Sequence, residues 1–233
     1  MVTVRLPVDL SGASLSALTH DLDCALASPA PIVTLLGADA ETFCLGLAVG
    51  AGTQDSTPTH AFAELLTKMH HAPKPLAAIV DGRAIGGGMG LACACDYVVA
   101  TERATFGLPE LLWGLVPAII WPVLTDRMAP HAVRQWTISA YARGATEAHA
   151  AGLVDELIPS ASIDRAMQRT AHHLCRLDRR ALQRLRTWAR ESRRHDLPTA
   201  LGMGADITAG MLHEPAVRER WNAFVAGEAP WSN

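Results

Sequence analysis

Three consecutive glycines, Gly86-Gly87-Gly88, constrain this chain more than any other feature of it. Residues without a Cβ permit positive φ and let another group come close to the main chain. The apolar runs over residues 76–80 and 97–100 on either side have strand length, and Asp81-Gly82 is a turn signal between the first run and the triplet. Behind the glycines, Met89-Gly90-Leu91-Ala92-Cys93-Ala94-Cys95 reads as the first turns of a helix packed through small side chains. The unpaired N–H groups of such a helix start would face whatever lies over the glycines, which is one way to hold a developing oxyanion. A carboxylate behind a proline, Pro109-Glu110, closes the stretch.

The flanking sequence supplies an alternation of strands and helices. Val2-Thr3-Val4-Arg5-Leu6 alternates with period two and stops at Pro7, as a strand does. Ser11 or Ser14 can cap a helix through about Ala27, with Leu15, Leu18, Leu22 and Leu26 at helical spacing. Ile32-Val33-Thr34-Leu35-Leu36 is continuously apolar, the pattern of a parallel strand buried on both faces. An irregular loop is expected over residues 50–58, then a helix over 59–71 and an extended entry through Pro73-Lys74-Pro75. Downstream, short strands are predicted over 104–106 and 153–158. Helices are predicted over 121–128, 132–140, 146–150 (capped by Thr146), from Ser162 onward and over 199–227. Such a pattern predicts an α/β class, with a core over residues 1–160 and a C-terminal helical layer over 161–233.

Composition narrows the setting. The formal net charge is −3, yet residues 165–194 hold ten arginines against Asp178 and Glu191, a solvated helix face or a docking surface for an acidic partner. Five cysteines, Cys24, Cys44, Cys93, Cys95 and Cys175, are an odd count in mostly apolar contexts and read as reduced, buried thiols of a cytoplasmic protein. The Cys93/Cys95 pair lacks a well-spaced companion pair or histidine, and His70-His71 point to different helix sides, so neither reads as a metal site. The uncharged run over 111–124, interrupted by Pro117 and Pro122, is shorter than a bilayer span, so a soluble chain without membrane or nucleic-acid partners is expected.

The order Ile79-Val80-Asp81-Gly82-Arg83-Ala84-Ile85-Gly86-Gly87-Gly88, Asp96, Phe106-Gly107-Leu108-Pro109-Glu110 and Gly114-Leu115-Val116-Pro117 resembles the enoyl-CoA hydratase/isomerase (crotonase) superfamily. Phe43-Cys44-Leu45-Gly46 upstream and Ala148, Ala151-Gly152-Leu153-Val154 downstream extend the resemblance over roughly residues 32–160. It implies a crotonase-like spiral of ββα units, assembled as a homotrimer or a hexamer built of two trimers. A C-terminal region would serve assembly and cover the site. The substrate it implies is an acyl thioester on coenzyme A or an acyl carrier protein, with no other cofactor and no metal. The backbone N–H groups of Leu47 and Gly87 would hold the thioester oxygen, and Glu110 would be the catalytic carboxylate. Hydratases of the superfamily carry a further glutamate two residues after the triplet; here that position is Gly90.

A single remaining carboxylate, together with Glu110-Leu111-Leu112-Trp113-Gly114-Leu115-Val116-Pro117-Ala118 and the Gly227-Glu228-Ala229-Pro230-Trp231 ending, is similar to the dehydratases of polyketide β-branching cassettes. That likeness implies conversion of 3-hydroxy-3-methylglutaryl carrier protein to its 3-methylglutaconyl product. Leu108, Leu111 and Trp113 are expected to line the pocket and raise the pKa of Glu110, with Gly90 beside them and with Arg83 and Tyr141 as candidates to reach the substrate's distal carboxylate or its leaving hydroxyl. Two other readings stay open: a Δ3,Δ2-enoyl thioester isomerase using the same base, and a non-catalytic scaffold of the same fold. Taken without the resemblance, Pro109-Glu110 is an ordinary acidic helix start and Gly86–Gly88 a tight turn.

Overall fold

The computed structural model describes residues 1–48 and 57–228; the irregular loop expected over 50–58 lies, apart from Thr57 and Pro58, outside them. By packing, the chain divides into a unit Met1–Cys175 and a unit Arg176–Asn233. Among its described residues the first unit contains nine strands: β1 (Val2–Arg5), β2 (Val33–Leu36), β3 (Thr42–Cys44), β4 (Leu76–Val80), β5 (Arg83–Ile85), β6 (Tyr97–Thr101), β7 (Thr105–Gly107), β8 (Arg143–Gly144) and β9 (Glu156–Ile158). Its described helices are α1 (Gly12–Ala27), α2 (Thr57–His70), α3 (Gly87–Cys93), α4 (Trp121–Arg127), α5 (Pro130–Ser139), α6 (Ala145–Ala150) and α7 (Ile163–Leu174).

Two sheets share these strands. The five-stranded sheet runs β1-β2-β4-β6-β9 with every neighbouring pair parallel, and its central strand β4 is buried at all five positions. The four-stranded sheet runs β3-β5-β7-β8, parallel except for its last pair. From β2 to β7 successive strands alternate between the sheets, so β2-β3-α2 and β4-β5-α3 are repeated strand–strand–helix units, the spiral that the sequence resemblance implies. Both sheets and the helices meet in one large apolar core that includes Phe43, Phe62, Leu65, Met89, Phe106 and Leu124.

Local chemistry sets the element ends. Ser11 caps α1: its hydroxyl accepts from the Ser14 N–H, and the Ser14 hydroxyl accepts from the Ser11 N–H at 2.8 Å. Leu15, Leu18 and Leu22 are buried beneath that helix. At its far end the buried Lys74 ammonium donates to the carbonyl of Ala25 in the last turn and to those of Ser28 and Ala30 just beyond the helix. The turn between β4 and β5 holds Gly82 at φ +83°, where a Cβ would lie 2.2 Å from the Glu41 carbonyl carbon. Next to it, the buried Asp81 carboxylate accepts from Thr101 Oγ1 at 2.5 Å and pairs with Arg103. Asp96 ties β4 to the end of α3 by accepting from the Leu76 N–H at 2.7 Å, a structural role.

Several expectations shift in detail. The helix expected to be capped by Thr146 begins one residue earlier, and the Glu147 carboxylate accepts from the Gly144 N–H at its start. Only Glu156–Ile158 of the strand expected over 153–158 joins the sheet, because the Leu153 and Val154 N–H groups turn back to the Ala148 carbonyl. Helix α7 buries Ala166, Thr170 and Leu174, which extends the first compact unit past the expected boundary at 160 to Cys175. Of the five free cysteines, Cys44, Cys93 and Cys95 are buried as expected, whereas Cys24 and Cys175 are exposed. Burial pushes the Cys44 thiol up to about 11 and Cys93 up to about 12, so both stay protonated at neutral pH.

The second unit holds α8 (Arg179–Glu191), α9 (Leu197–Leu212) and α10 (Pro215–Val225), so the single helical stretch expected over 199–227 is two helices. Asp178 caps α8 by accepting from the Ala181 N–H. Ion pairs Arg184–Glu214, Arg194–Glu191 and Arg220–Asp178 engage part of the arginine-rich segment within this unit. None of the three helices buries a residue in the isolated chain. Among the described residues, no helix is long and apolar enough to cross a membrane.

Candidate active site

Parallel pairing brings three distant segments together. Strands β3, β5 and β7 are neighbours that run the same way, so their C-terminal ends open on one side of the sheet. Leu47 follows the end of β3, Gly87 the end of β5 and Glu110 the end of β7. All three line a cavity of about 360 Å³, within the size range of small-molecule pockets.

The glycine side of this cavity is made of backbone. Gly46 and Gly87 touch: a Cβ on Gly46 would lie 2.5 Å from the Gly87 nitrogen, and Gly46 itself has φ +82°. Leu10 donates to the Gly46 carbonyl and accepts from the Ala48 N–H in a short parallel bridge, so pleating turns the intervening Leu47 N–H away from Leu10. Gly87 is the first residue of α3 and its N–H has no acceptor within that helix. The Phe62 ring from α2 packs over Gly87, where a Cβ would come within 3.2 Å of it. Gly88 lets α3 sit directly on β3, since a Cβ there would lie 1.9 Å from the Cys44 carbonyl oxygen. Two N–H groups on touching segments of chain form the kind of donor pair that can receive a developing oxyanion.

Glu110 enters from the other side on a 3-10 turn, Glu110–Trp113, closed by Gly114 at φ +74°. Its Oε1 lies 2.8 Å from where a Gly86 Cβ would be, so the glycine at 86 (φ +50°) is what admits the carboxylate. The other oxygen, Oε2, is buried with no hydrogen-bond partner. Desolvation in this apolar setting holds the carboxyl above the ordinary glutamate value, partly offset by a backbone hydrogen bond. Apart from Glu110, the described residues of the cavity lining include no ionisable side chain; apolar residues, Leu45, Phe62, Ile85, Leu115, Ile119 and Ile120 among them, make most of the rest.

Of the pocket residues expected from sequence, Trp113 lines the cavity. Leu108 does not: it is fully buried in the core behind the strand end. Leu111 lies on the outer side of the 3-10 turn, 41% exposed and off the lining. Gly90 is also off the lining, because the side chain of Ile120 fills the space in front of it. Arg83 begins β5, at the end away from the cavity, and is exposed there. Tyr141 lies beyond α5, 57% exposed, with the Arg143 guanidinium stacked 4.4 Å from its ring centroid. Neither Arg83 nor Tyr141 is positioned to meet a substrate group in this cavity of the chain. Sequence reasoning passed over Leu45, Phe62, Ile119 and Ile120, whose apolarity reads as core until the tertiary packing is known.

Comparison with known proteins places the chain in a family. The enoyl-CoA hydratase/isomerase family profile matches residues 17–232. The chain is 27% identical over 226 residues to a 2,3-dehydroadipyl-CoA hydratase of Escherichia coli K12, covering 95% of this chain and 88% of that protein. It is 30% identical over 137 residues to the carnitinyl-CoA dehydratase of the same strain, covering 57% of this chain and 52% of the relative. The solved structure of an enoyl-CoA hydratase from Mycobacterium smegmatis superposes with a TM-score of 0.84 at 20% identity, over 99% of this chain and 95% of that one. With a profile match across nearly its whole length and the same fold, this chain belongs to the enoyl-CoA hydratase/isomerase family.

Proposed function

We propose that this chain dehydrates a 3-hydroxyacyl thioester with Glu110 as its acid–base group. The observation that carries the reading is one half-buried carboxylate, with an unpartnered oxygen and a raised pKa, in the same cavity as the Leu47 and Gly87 N–H groups. Ionised Glu110 takes a proton from C2, and the electron pair moves to the thioester oxygen, held by those two donors. As the enolate collapses it forms the C2–C3 double bond and expels the 3-hydroxyl, which leaves as water with the proton from Glu110. The carboxylate is thereby restored. The names of the two curated relatives, a hydratase and a dehydratase of coenzyme A thioesters, support a thioester substrate and this reaction class.

The finer form of the proposal is the 3-hydroxy-3-methylglutaryl group on an acyl carrier protein, giving 3-methylglutaconyl carrier protein in polyketide β-branching. Its support is the sequence resemblance around Gly90 and Glu110–Ala118. A second reading, isomerisation of a 3-enoyl thioester, is favoured by the same lone carboxylate, which would carry a proton from C2 to C4. Intact-protein mass spectrometry of a 3-hydroxy-3-methylglutaryl-loaded carrier protein, and chromatography of 3-hydroxyacyl and 3-enoyl coenzyme A thioesters, separate these. Loss of a water that disappears in Glu110→Gln supports dehydration; conversion of the 3-enoyl thioester alone replaces it with isomerisation. No turnover of any of them leaves the scaffold reading. Assembly into a trimer or hexamer, which the exposed Leu197, Leu201, Leu212, Trp221 and Phe224 of the second unit support, is read by light scattering.

A further inference from the structure

Helix α3 and the start of α4 interlock at one point beside the cavity. Gly90 is buried in α3, and a Cβ there would lie 2.3 Å from Ile120 Cγ2 and 2.9 Å from Ile120 Cβ. Ile120 is the N-cap residue of α4, 3% exposed, and its Leu124 N–H→Ile120 carbonyl bond of 3.0 Å fixes its backbone at the helix start. Its side chain therefore occupies the volume that any side chain at position 90 would need, and it presents that volume to the cavity as hydrocarbon. Around it, Leu45, Phe62, Ile85, Leu115 and Ile119 continue the apolar wall.

We propose that Ile120 is a specificity-determining residue: seated against Gly90, it selects acyl groups that are uncharged near the reacting carbon and rejects those with a carboxylate there. The inference rests on the proposed use of this cavity for an acyl thioester, and it stands against the glutaryl form of that proposal. A carboxylate brought into the cavity would leave water, meet no cationic side chain among the described lining residues and share the space with Glu110, all unfavourable. A branched hydrocarbon of the same shape meets only apolar surface. The contribution of Ile120 is the last wall on this side; shortening it opens room for water to follow a charged group.

The test compares two unreactive ligands of matched shape, 3,5-dimethylhexanoyl-CoA and 3-methylglutaryl-CoA, by isothermal titration to the full chain. They differ in an isopropyl group against a carboxylate, and neither carries a 3-hydroxyl, so the result does not depend on whether Glu110 eliminates water. The wild-type chain is expected to bind the neutral ligand at least about tenfold more tightly, the discrimination that a methylene-sized contact in an apolar pocket provides. Ile120→Ala should lose most of that preference by weakening the neutral ligand, and Ile120→Thr should lose part of it; Ile120→Val should keep it. Circular dichroism melts report whether each variant is folded, and the threonine variant decides the matter if the alanine variant is not. Equal binding, preference for 3-methylglutaryl-CoA, absence of saturable binding, or a preference unmoved by the folded Ile120 variants overturns the inference. Loss of water from a 3-hydroxyacyl substrate, abolished in Glu110→Gln, would still uphold the proposed function in each of those cases.

Discussion

The cavity has two sides of opposite construction. Around Gly46 and Gly86–Gly88 it is bounded by main chain that is fully buried and in van der Waals contact with neighbouring main chain. Around Glu110 it is bounded by side chains on one 3-10 turn that buries no residue, with Leu112 71%, Trp113 64% and Val116 67% exposed. At Gly46 and Gly88 a side chain would have to displace backbone, because a Cβ on Gly46 meets the Gly87 nitrogen and one on Gly88 the Cys44 carbonyl oxygen. The exposed side can be altered one side chain at a time. The first side thus carries the fold and the proposed donors, while the second carries the proposed acid–base group and the way in.

Glu110→Gln should produce the largest functional effect and the least structural one. Removing the ionisable group that the described lining contains is expected to lower kcat by about 10²–10⁴-fold, the range of general acid–base contributions, with an unchanged circular dichroism spectrum. A folded Glu110→Gln chain of wild-type activity would break the comparison, since the chemistry would then lie elsewhere. The pH profile sharpens the same point. Burial raises the Glu110 pKa above 4.5, and the base works ionised, so kcat/KM should rise with pH to a plateau only above that value. Stability has the reverse sign. A carboxyl with a raised folded-state pKa contributes stability fully below its unfolded pKa and loses it as pH rises through the folded one. Urea titrations should show that this loss is absent in Glu110→Gln.

On the glycine side, Gly88→Ala should cost about 3 kcal/mol or more in urea unfolding, because its Cβ meets the Cys44 carbonyl oxygen at 1.9 Å and neither strand nor helix can yield. Gly114→Ala, at the end of the 3-10 turn with open space around it, should cost only the left-handed backbone penalty of about 1 kcal/mol. If Gly114→Ala proved the more destabilising of the two, the contrast between the sides would fall. The smallest effect is expected for Trp113→Ala: within about 0.5 kcal/mol of wild-type stability, as for an exposed residue, with its consequence confined to KM. A large loss of stability would show that the lip is part of the core after all.

Much of this was legible along the chain. Period-two and continuous apolar runs placed β1, β2, β4 and β6 within a residue or so, and Ser11 with Leu15, Leu18 and Leu22 placed α1. Those signals are local, since a strand or a cap is specified by residues a few positions apart. The very short strands β3, β5 and β8 carried no such signal: two or three residues are too few to show a period, and each exists because a neighbouring strand supplies its hydrogen bonds. The triplet and Pro109-Glu110 pointed to donors and a carboxylate, and the register Ile85↔Gly107 between β5 and β7 brings them to the same cavity.

By itself, then, the sequence determined the α/β class, the order of most elements and the residue types able to hold an oxyanion and move a proton. Only the tertiary structure decided which way each side chain faces. It put Leu108 in the core and Arg83 at the far end of β5, turned Tyr141 toward Arg143, and set Ile120 against Gly90, although thirty positions separate that last pair. The physical reason is that a glycine's neighbour is chosen by how two elements pack, and the pattern around position 90 carries no record of what approaches it from α4.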